Sequence, residues 1–517
     1  MKMLNIMCQK RLPLTVGAML TGVAIASFFT NVIESPQVSY RYLHEHLESS
    51  QLAMKTKWGS SDFELPPQDK VKIGQLIAHS ESSNFIAGQD YTVTGQALKG
   101  ALDTACYPED DTCRIPVRIN RQFKVTALND DLRVANIEET SLRVDFETAQ
   151  NEAETKFMGL ATETRNLRFY QTQSGWVQNT AEIVNSKPFI FTGRAEQFNQ
   201  IFDHPFVGLN YYPASASWKE FWTKFPVIEI KTDLEKAKRL KVNALRIFLT
   251  YDYFHESDSR KNAVAKLRSF LDLCENQNIQ VLVTLFDLRP NYAVSNWASD
   301  IEHIDGVLSS ISGHKAILGI DLKNQPDLDF PNWGEDRVQG WLTVMARHIQ
   351  TQYPNLAVTA GWSTAENAAR LHNVFDVVTY HEYQNPRNFK DRLQSIKAVV
   401  GEKPVMITEL GSTIWRPPFI QSRTEAAQAS RLNAQLRQAD DANGIFVWTL
   451  NDFDHVGREV VGLLPWRQAQ QRHFGLYRPD GSPRPSAAVL TAYGVRQFSQ
   501  HSTKNFSSFN IPQHPNF

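Results

Sequence analysis

Residues 243–288, "NALRIFLTYDYFHESDSRKNAVAKLRSFLDLCENQNIQVLVTLFDL", read as strand, helix, strand. The flanking runs "NALRIFLTY" and "IQVLVTLFDL" are too continuously apolar for strands with one wet face. Between them, "AVAKLRSFLDLCENQ" spaces its apolar residues three and four apart, the period of a helix with one buried stripe. Parallel strands need such a crossover, and its helices cover the sheet on both faces. The same rhythm extends in both directions. "FVGLNYY" (206–212) is followed by "LEKAKRLKV", "AILGIDLKN" (316–324) by "VQGWLTVMARHIQTQ", "VFDVVTYHEY" (374–383) by "FKDRLQSIKAVV", and "PVMITELG" (404–411) by "EAAQASRLNAQLRQAD". "LAVTAGW" (356–362) and "GIFVWTLND" (444–452) complete eight strand candidates. Eight such units over about 290 residues predict an α/β fold, a (β/α)8 barrel spanning 200–495. An open doubly wound sheet would carry a Gly-rich phosphate turn after its first strand, and "GLNYYP" is not one.

The rest of the chain has a different texture. At 517 residues, with 42% hydrophobic and 21% charged residues, it has room for more than one core. A net charge of −1 gives no electrostatic case for nucleic acid or anionic lipid as a partner. Lys2, Lys10 and Arg11 precede an uncharged run from Leu12 to Ile33, long enough to cross a hydrocarbon core. Residues 1–33 are therefore expected to be a signal-anchor, with the basic flank in the cytoplasm and the remainder extracytoplasmic, periplasmic or at the cell surface. A signal peptide cleaved after "AIA" (24–26), giving a secreted protein, is the alternative.

Residues 34–85 read as a polar stalk. From 86 to 190, period-two segments such as "RIPVRINRQFKVTALND", "SLRVDFETA" and "NLRFYQTQSGWVQNT" predict a small α+β or β-rich domain. Its "FYQTQSGWVQ" hairpin looks similar to the cone-shaped NTF2-like folds. Residues 496–517 read as a disordered tail. In "ACYPEDDTCRIP" (105–116), Cys106 and Cys113 are placed to close a small disulfide in an exported protein, with Cys8 and Cys274 unpaired. "HEH" (44–46) and the other histidines lack metal-ligand spacing, and neither a phosphate-cradling loop nor a GxSxG elbow occurs, so no metal or cofactor is expected.

In a (β/α)8 barrel, chemistry belongs at the C-terminal strand ends. Those ends bring Asn210 and Tyr211, Arg246, Asp287, Asn324 and Gln325, Trp362, His381 and Tyr383, Glu409, and Trp448 with Asn451 and Asp452. Asp287 either binds substrate or caps the turn before Pro290. Trp415 and Trp466, in Pro-rich loops, either line a cleft or pin those loops.

Five segments then carry a specific resemblance: "LRIFLTY", "LKNQPD", "VTYHEY", "VMITELG" and "GIFVWTLNDF", closed by "FGLYRPDGSPRPSAAVL". Residues from about 204 to 490, roughly 55% of the chain, resemble the clan A glycoside hydrolases, nearest to family 5 and its cellulase- and mannanase-like relatives. The resemblance implies retaining hydrolysis of β-linked polysaccharide or oligosaccharide, which needs two carboxyl groups about 5–5.5 Å apart. By match, Glu409 takes the nucleophile position. Arg246 and Tyr383 would hydrogen-bond it and hold it ionised, with a lowered pKa. Asn324 would meet the sugar 2-hydroxyl, His381 would orient the acid or the sugar, and Trp448 would floor the subsite by stacking.

The departure is Gln325, at the position of the acid/base Glu. An amide has no proton to give near neutral pH, and losing general acid catalysis lowers rates ~10²–10⁴-fold. Asp327, Asp329 and Glu382 are the nearby carboxyls available to replace it, although strand alternation turns Glu382 away from the site. Two functions follow: a glycoside hydrolase-like protein acting on β-linked sugar, or a carbohydrate-binding pseudoenzyme or scaffold.

Overall fold

The computed structural model describes 105–107, 112–129, 134–149, 155–172, 175–188 and 194–507, apart from 293–295, 416–423 and 463. The expected membrane segment and stalk lie outside the described residues. Among the described residues no helix is long and apolar enough to cross a membrane.

The first described unit is a five-stranded antiparallel sheet of β1 (Ala105–Tyr107), β2 (Thr112–Asn129), β3 (Val134–Ala149), β4 (Thr155–Thr172) and β5 (Gly175–Pro188). Each strand pairs with the next in sequence, in the order β1-β2-β3-β4-β5. The β-rich alternative is therefore the observed one. Between 105 and 188 the described residues hold strands alone. The physical reason is the unbroken period-two alternation, which gives no stretch a helical apolar stripe. The β4–β5 hairpin is as read, with Thr172 opposite Gly175. Cys106 lies directly opposite Cys113 across β1 and β2.

Along the middle of β4 alternate residues Ala161, Glu163, Arg165 and Leu167 are buried, where the strand lies against the helix Glu335–Gln352. Glu163 brings its charge inside with a partner, Arg143 Nη1 at 2.6 Å.

The second unit is a closed parallel barrel of β6 (Phe206–Asn210), β7 (Ala244–Thr250), β8 (Gln280–Asp287), β9 (Ile317–Asn324), β10 (Val358–Trp362), β11 (Val378–Glu382), β12 (Val405–Leu410) and β13 (Gly444–Val447). All eight strands fall on the predicted apolar runs. Helices such as Val227–Arg239, Ser257–Glu275 and Glu335–Gln352 cover the outside. The N-terminal mouth is plugged. Phe198 and Phe202, from the helix Ala195–Phe202, pack on Phe206, Ala244, Leu282, Leu318, Ala357, Val377, Met406 and Phe446 near the starts of the strands. Burying each Phe contributes about 2–3 kcal/mol, so the closed end is an apolar seal.

The other end is polar, and its ladders are irregular. The register shifts at Thr359/Gly361, at Tyr380/His381 and between Ile407 and Leu410. Such bulges re-aim side chains beside functional sites. The tail expected from 496 is helical as far as Ser507, in the helix Pro485–Ser507. Arg496 and Gln497 both bond Asp440 Oδ1 at 2.8 Å, and Phe498 packs on the core, which anchors what composition alone reads as loose.

Candidate active site

The site is organised around one buried guanidinium. Arg246 projects inward from β7, fully buried. Its Nε and Nη2 donate to Asp321 Oδ2 at 2.9 and 2.5 Å, and its Nη1 donates to Glu409 Oε1 at 2.8 Å. Asn210 Oδ1 accepts from Nη1 at 3.1 Å and Asn324 Oδ1 from Nη2 at 3.0 Å. A rigid planar fork suits several acceptors held at fixed angles, which a lysine would not satisfy. The close fit also explains Gly361: a Cβ there would lie 2.9 Å from Arg246 Nη2 and 3.1 Å from His381 Nε2.

Glu409 is fixed from two more sides. Tyr383 donates its hydroxyl to Oε2 at 3.0 Å. Burial and the neighbouring carboxylate raise the Tyr383 phenol well above its usual range, so it stays a donor. His381, opposite Glu409 in the β11–β12 ladder, brings Nδ1 to 3.5 Å from the same oxygen. Gln325 Nε2 lies 2.9 Å from that nitrogen, within hydrogen-bond distance. The Gln325 amide and the Glu409 carboxyl thus converge on one ring atom. The backbone aims the amide there. Gln325 sits in the left-handed region at φ 48°, costly for a non-glycine residue, with its N–H donating to Gly361 O at 2.7 Å.

One expectation is corrected. Arg246 and Tyr383 were expected to depress Glu409, yet burial outweighs them and pushes its carboxyl up to about 7, with Asp287 adding to the rise. A folded-state pKa above the unfolded one favours folding in acid. That contribution is complete below the ordinary carboxylate range and is lost as pH rises through about 7. Glu409→Gln is therefore expected to be more stable than the native chain by about 2–3 kcal/mol at pH 8, with little gap at pH 4. Urea unfolding at the two pH values measures this. An equal gap at both would show that the carboxyl is not titrating in this range.

Asp287 faces the same space. Its Oδ1 accepts from Asn324 Nδ2 at 3.0 Å, and its Oδ2 from the Tyr212 hydroxyl at 3.4 Å. These two bonds join Asp287 to the Asn324 side of the site. The three carboxyls considered as replacement acids are engaged elsewhere. Asp327 accepts from Ser363 N and Oγ at 2.9 and 2.6 Å and from Asn367 at 2.7 Å. Asp329 accepts from Tyr292 at 2.6 Å, with Lys323 at 3.6 Å. Glu382 turns outward, as alternation requires, into a two-bond pair with Arg392 at 2.8 Å each.

Tyr211, Asn451 and Asp452 separate from the site. Tyr211 points to the helix layer and donates to Asp233 at 3.2 Å, where Asn451 Nδ2 also donates, at 2.8 Å. Asp452 is clamped by Arg484 at 2.7 and 2.6 Å. Trp362 is buried and packs edge-on to Phe330. Trp448 is fully buried among Tyr212, Trp218, Phe248 and Phe453. Trp466 is on the surface, 42% exposed. Among the described residues no group of His, Cys, Asp and Glu forms a metal site.

Sequence reasoning missed Asp321 and Tyr212. Asp321 is the second anion on Arg246, and it also accepts from Thr284 Oγ1 and Gly361 N at 2.9 Å each. Its signal was an acidic residue inside the apolar run "ILGIDL", one turn of reading before the strand end.

No protein-family profile and no curated protein matches this chain. Solved structures do resemble its barrel. GH5_18 from Streptomyces cattleya, in complex with GlcNAc, aligns with TM-score 0.48 and 15% identity over 57% of this chain and 81% of that one. The exo-beta-1,4-mannosidase Op5Man5 from Opitutaceae bacterium strain TAV5 aligns with TM-score 0.47 and 18% identity, over 60% of this chain and 64% of that one. A GH5_18 from Bifidobacterium longum subsp. infantis gives 0.45 and 15%, over 57% and 78%. These neighbours are glycoside hydrolases. At such identities the likeness is one of fold, and what the rim does has to be argued from its own residues.

Proposed function

We propose that this chain is an exported glycoside hydrolase-like protein that binds β-linked oligosaccharide at the C-terminal rim of its barrel, with Glu409 in the nucleophile place and no acid opposite it. The observation that carries the reading is the Gln325–His381–Glu409 constellation, in which an amide fills the acid position in hydrogen-bonded detail. Gln is nearly isosteric with Glu and keeps a donor and an acceptor for a glycosidic oxygen, but it transfers no proton. Engagement of Asp327, Asp329 and Glu382 in structural bonds supports a slow or absent hydrolysis of ordinary glycosides. The elevated Glu409 carboxyl favours the second reading, a carbohydrate-binding pseudoenzyme, because at neutral pH a sizeable part of the nucleophile is protonated. Export rests on Lys2, Lys10 and Arg11 ahead of the uncharged run Leu12–Ile33, with membrane anchoring through that run.

A dinitrophenolate leaving group needs no protonation, so dinitrophenyl β-glycosides report on Glu409 alone. The expected result is slow phenolate release that rises with pH through about 7 as Glu409 ionises and that disappears in Glu409→Ala. Alkyl β-glycosides are expected to survive intact. Absence of binding to any β-linked oligosaccharide in calorimetry would sink the proposal.

A further inference from the structure

Three fully buried charged side chains meet at the centre of the site: one guanidinium, Arg246, and two carboxyls, Asp321 from β9 and Glu409 from β12. One cation balances one anion. With both carboxyls ionised the trio keeps an uncompensated negative charge in a place closed to water, and with one of them protonated it is neutral. An unbalanced buried charge is costly, so the trio favours holding one proton. Keeping Glu409 ionised would need Arg246 alone, and Asp321 works against it. The proposed reaction makes no use of Asp321.

Geometry decides which carboxyl keeps the proton. Asp321 takes two of the three guanidinium nitrogens, Nε and Nη2, at 2.9 and 2.5 Å. It also accepts from Thr284 Oγ1 and from Gly361 N, at 2.9 Å each. The three nitrogens can only donate, which are the surroundings of a carboxylate rather than of an acid. Glu409 receives one guanidinium nitrogen, Nη1 at 2.8 Å, and Asn210 Oδ1 shares it at 3.1 Å. The other Glu409 oxygen meets the Tyr383 hydroxyl at 3.0 Å, with His381 Nδ1 at 3.5 Å, both from the β11 side. Asp321 is also the stronger of the two charges acting on Arg246. From β8, Asp287 adds a further negative charge that opposes ionisation of Glu409. A Glu409 carboxyl raised to about 7 agrees with this division of the guanidinium.

We infer that Asp321 is a positioning residue that sets the charge state of Glu409, by drawing Arg246 to itself and leaving Glu409 as the proton holder of the trio. It acts through the guanidinium and touches no substrate. The inference deepens the proposed function, since it assigns the control of the same carboxyl, and it rests on that reading for its consequence. Below neutral pH the site presents a neutral Glu409 to a sugar, and above it an ionised nucleophile. Without the Asp321 charge, Arg246 would serve Glu409 alone, and the carboxyl would ionise at lower pH.

The test uses the full chain and compares Asp321→Asn and Asp321→Ser, which remove the charge, with Thr284→Val, which removes one bond to Asp321 and keeps the charge. Asn preserves the shape but turns an N–H toward another donor, whereas Ser leaves room for a water, so failure of one to fold leaves the other. In the first readout, urea unfolding of each protein with and without Glu409→Gln is followed from pH 4 to 9. The pH above which the gap between the two stops growing reports ionisation of folded Glu409, with no sugar present. In the second, dinitrophenolate release from dinitrophenyl β-glycosides is followed over the same range. The native protein and Thr284→Val are expected to share a midpoint near 7. Asp321→Asn and Asp321→Ser are expected to lower it by about one unit or more in both readouts, which raises release at pH 5 about tenfold per unit. An unmoved or raised midpoint in the charge-removing variants, or an equal drop in Thr284→Val, would overturn the inference and leave the proposed function standing. A lowered unfolding midpoint with no dinitrophenolate release from any variant would uphold the inference and count against the proposed function.

Discussion

Gln325→Glu is expected to raise kcat/KM on unactivated β-glycosides about 10²–10⁴-fold, the range that general acid catalysis supplies. The argument starts from what is already built. The Gln325 side chain is in place, bonded to His381 Nδ1 at 2.9 Å, and its backbone is already in the left-handed turn that aims it there. Substitution by Glu changes one atom and no volume. The new carboxyl would share a buried site with Glu409, and like charges close together raise one of the two pKa values. That is the condition an acid needs at neutral pH, while Arg246 and Tyr383 favour ionisation of Glu409. Adding Glu409→Ala to Gln325→Glu should return hydrolysis to background. If Gln325→Glu leaves alkyl glycosides intact while oligosaccharide still binds, the position does not serve as an acid site and the barrel is a binder by construction.

Arg246→Met is expected to destabilise the protein by about 3–5 kcal/mol, enough to lower Tm by on the order of 10 °C. Arg246 is the cation between Asp321 and Glu409, and all three side chains are fully buried. Removing it leaves two carboxyls without their counter-charge, along with the Asn210 and Asn324 oxygens that accept from it. The penalty comes from stranding the anions more than from losing the attraction itself. Arg246→Met combined with Asp321→Asn and Glu409→Gln is therefore expected to recover most of the loss. Arg246→Lys should fall between, since one ammonium cannot reach five acceptor contacts in a plane. Equal Tm values for Arg246→Met and the triple variant would show that the anions were not the source of the penalty.

How legible the site was depended on where each residue lay. Glu409, Gln325, His381 and Asn324 stand at the ends of apolar runs, where a polar residue is conspicuous, and the structure brings them together around Arg246. Tyr211, Asn451 and Asp452 stand at equally conspicuous places and serve the outer layer or the C-terminal clamp instead. Which way a side chain faces at a strand end depends on the last bulge in the ladder, and pairing with the neighbouring strand sets that bulge. Asp321 and Tyr212 were passed over for the converse reason, being polar groups inside or just past apolar runs whose inward direction only the closed barrel defines.

The sequence by itself determined the class of the fold. Eight apolar runs alternating with helical stripes leave little choice but a covered parallel sheet, because local periodicity and burial are properties of short segments. It also determined that position 325 carries no titratable proton, since that is a matter of residue identity. Only the tertiary structure decided the state of Glu409. Charge partners argue for a depressed pKa and burial argues for a raised one, and the balance depends on how completely the barrel excludes water from a carboxyl fixed between Arg246, Tyr383 and His381. It also decided the fate of the neighbouring acids. Asp327, Asp329 and Glu382 lie within a few residues of the site in sequence, yet each is turned into a bond of its own by a partner 10 to 37 residues away along the chain.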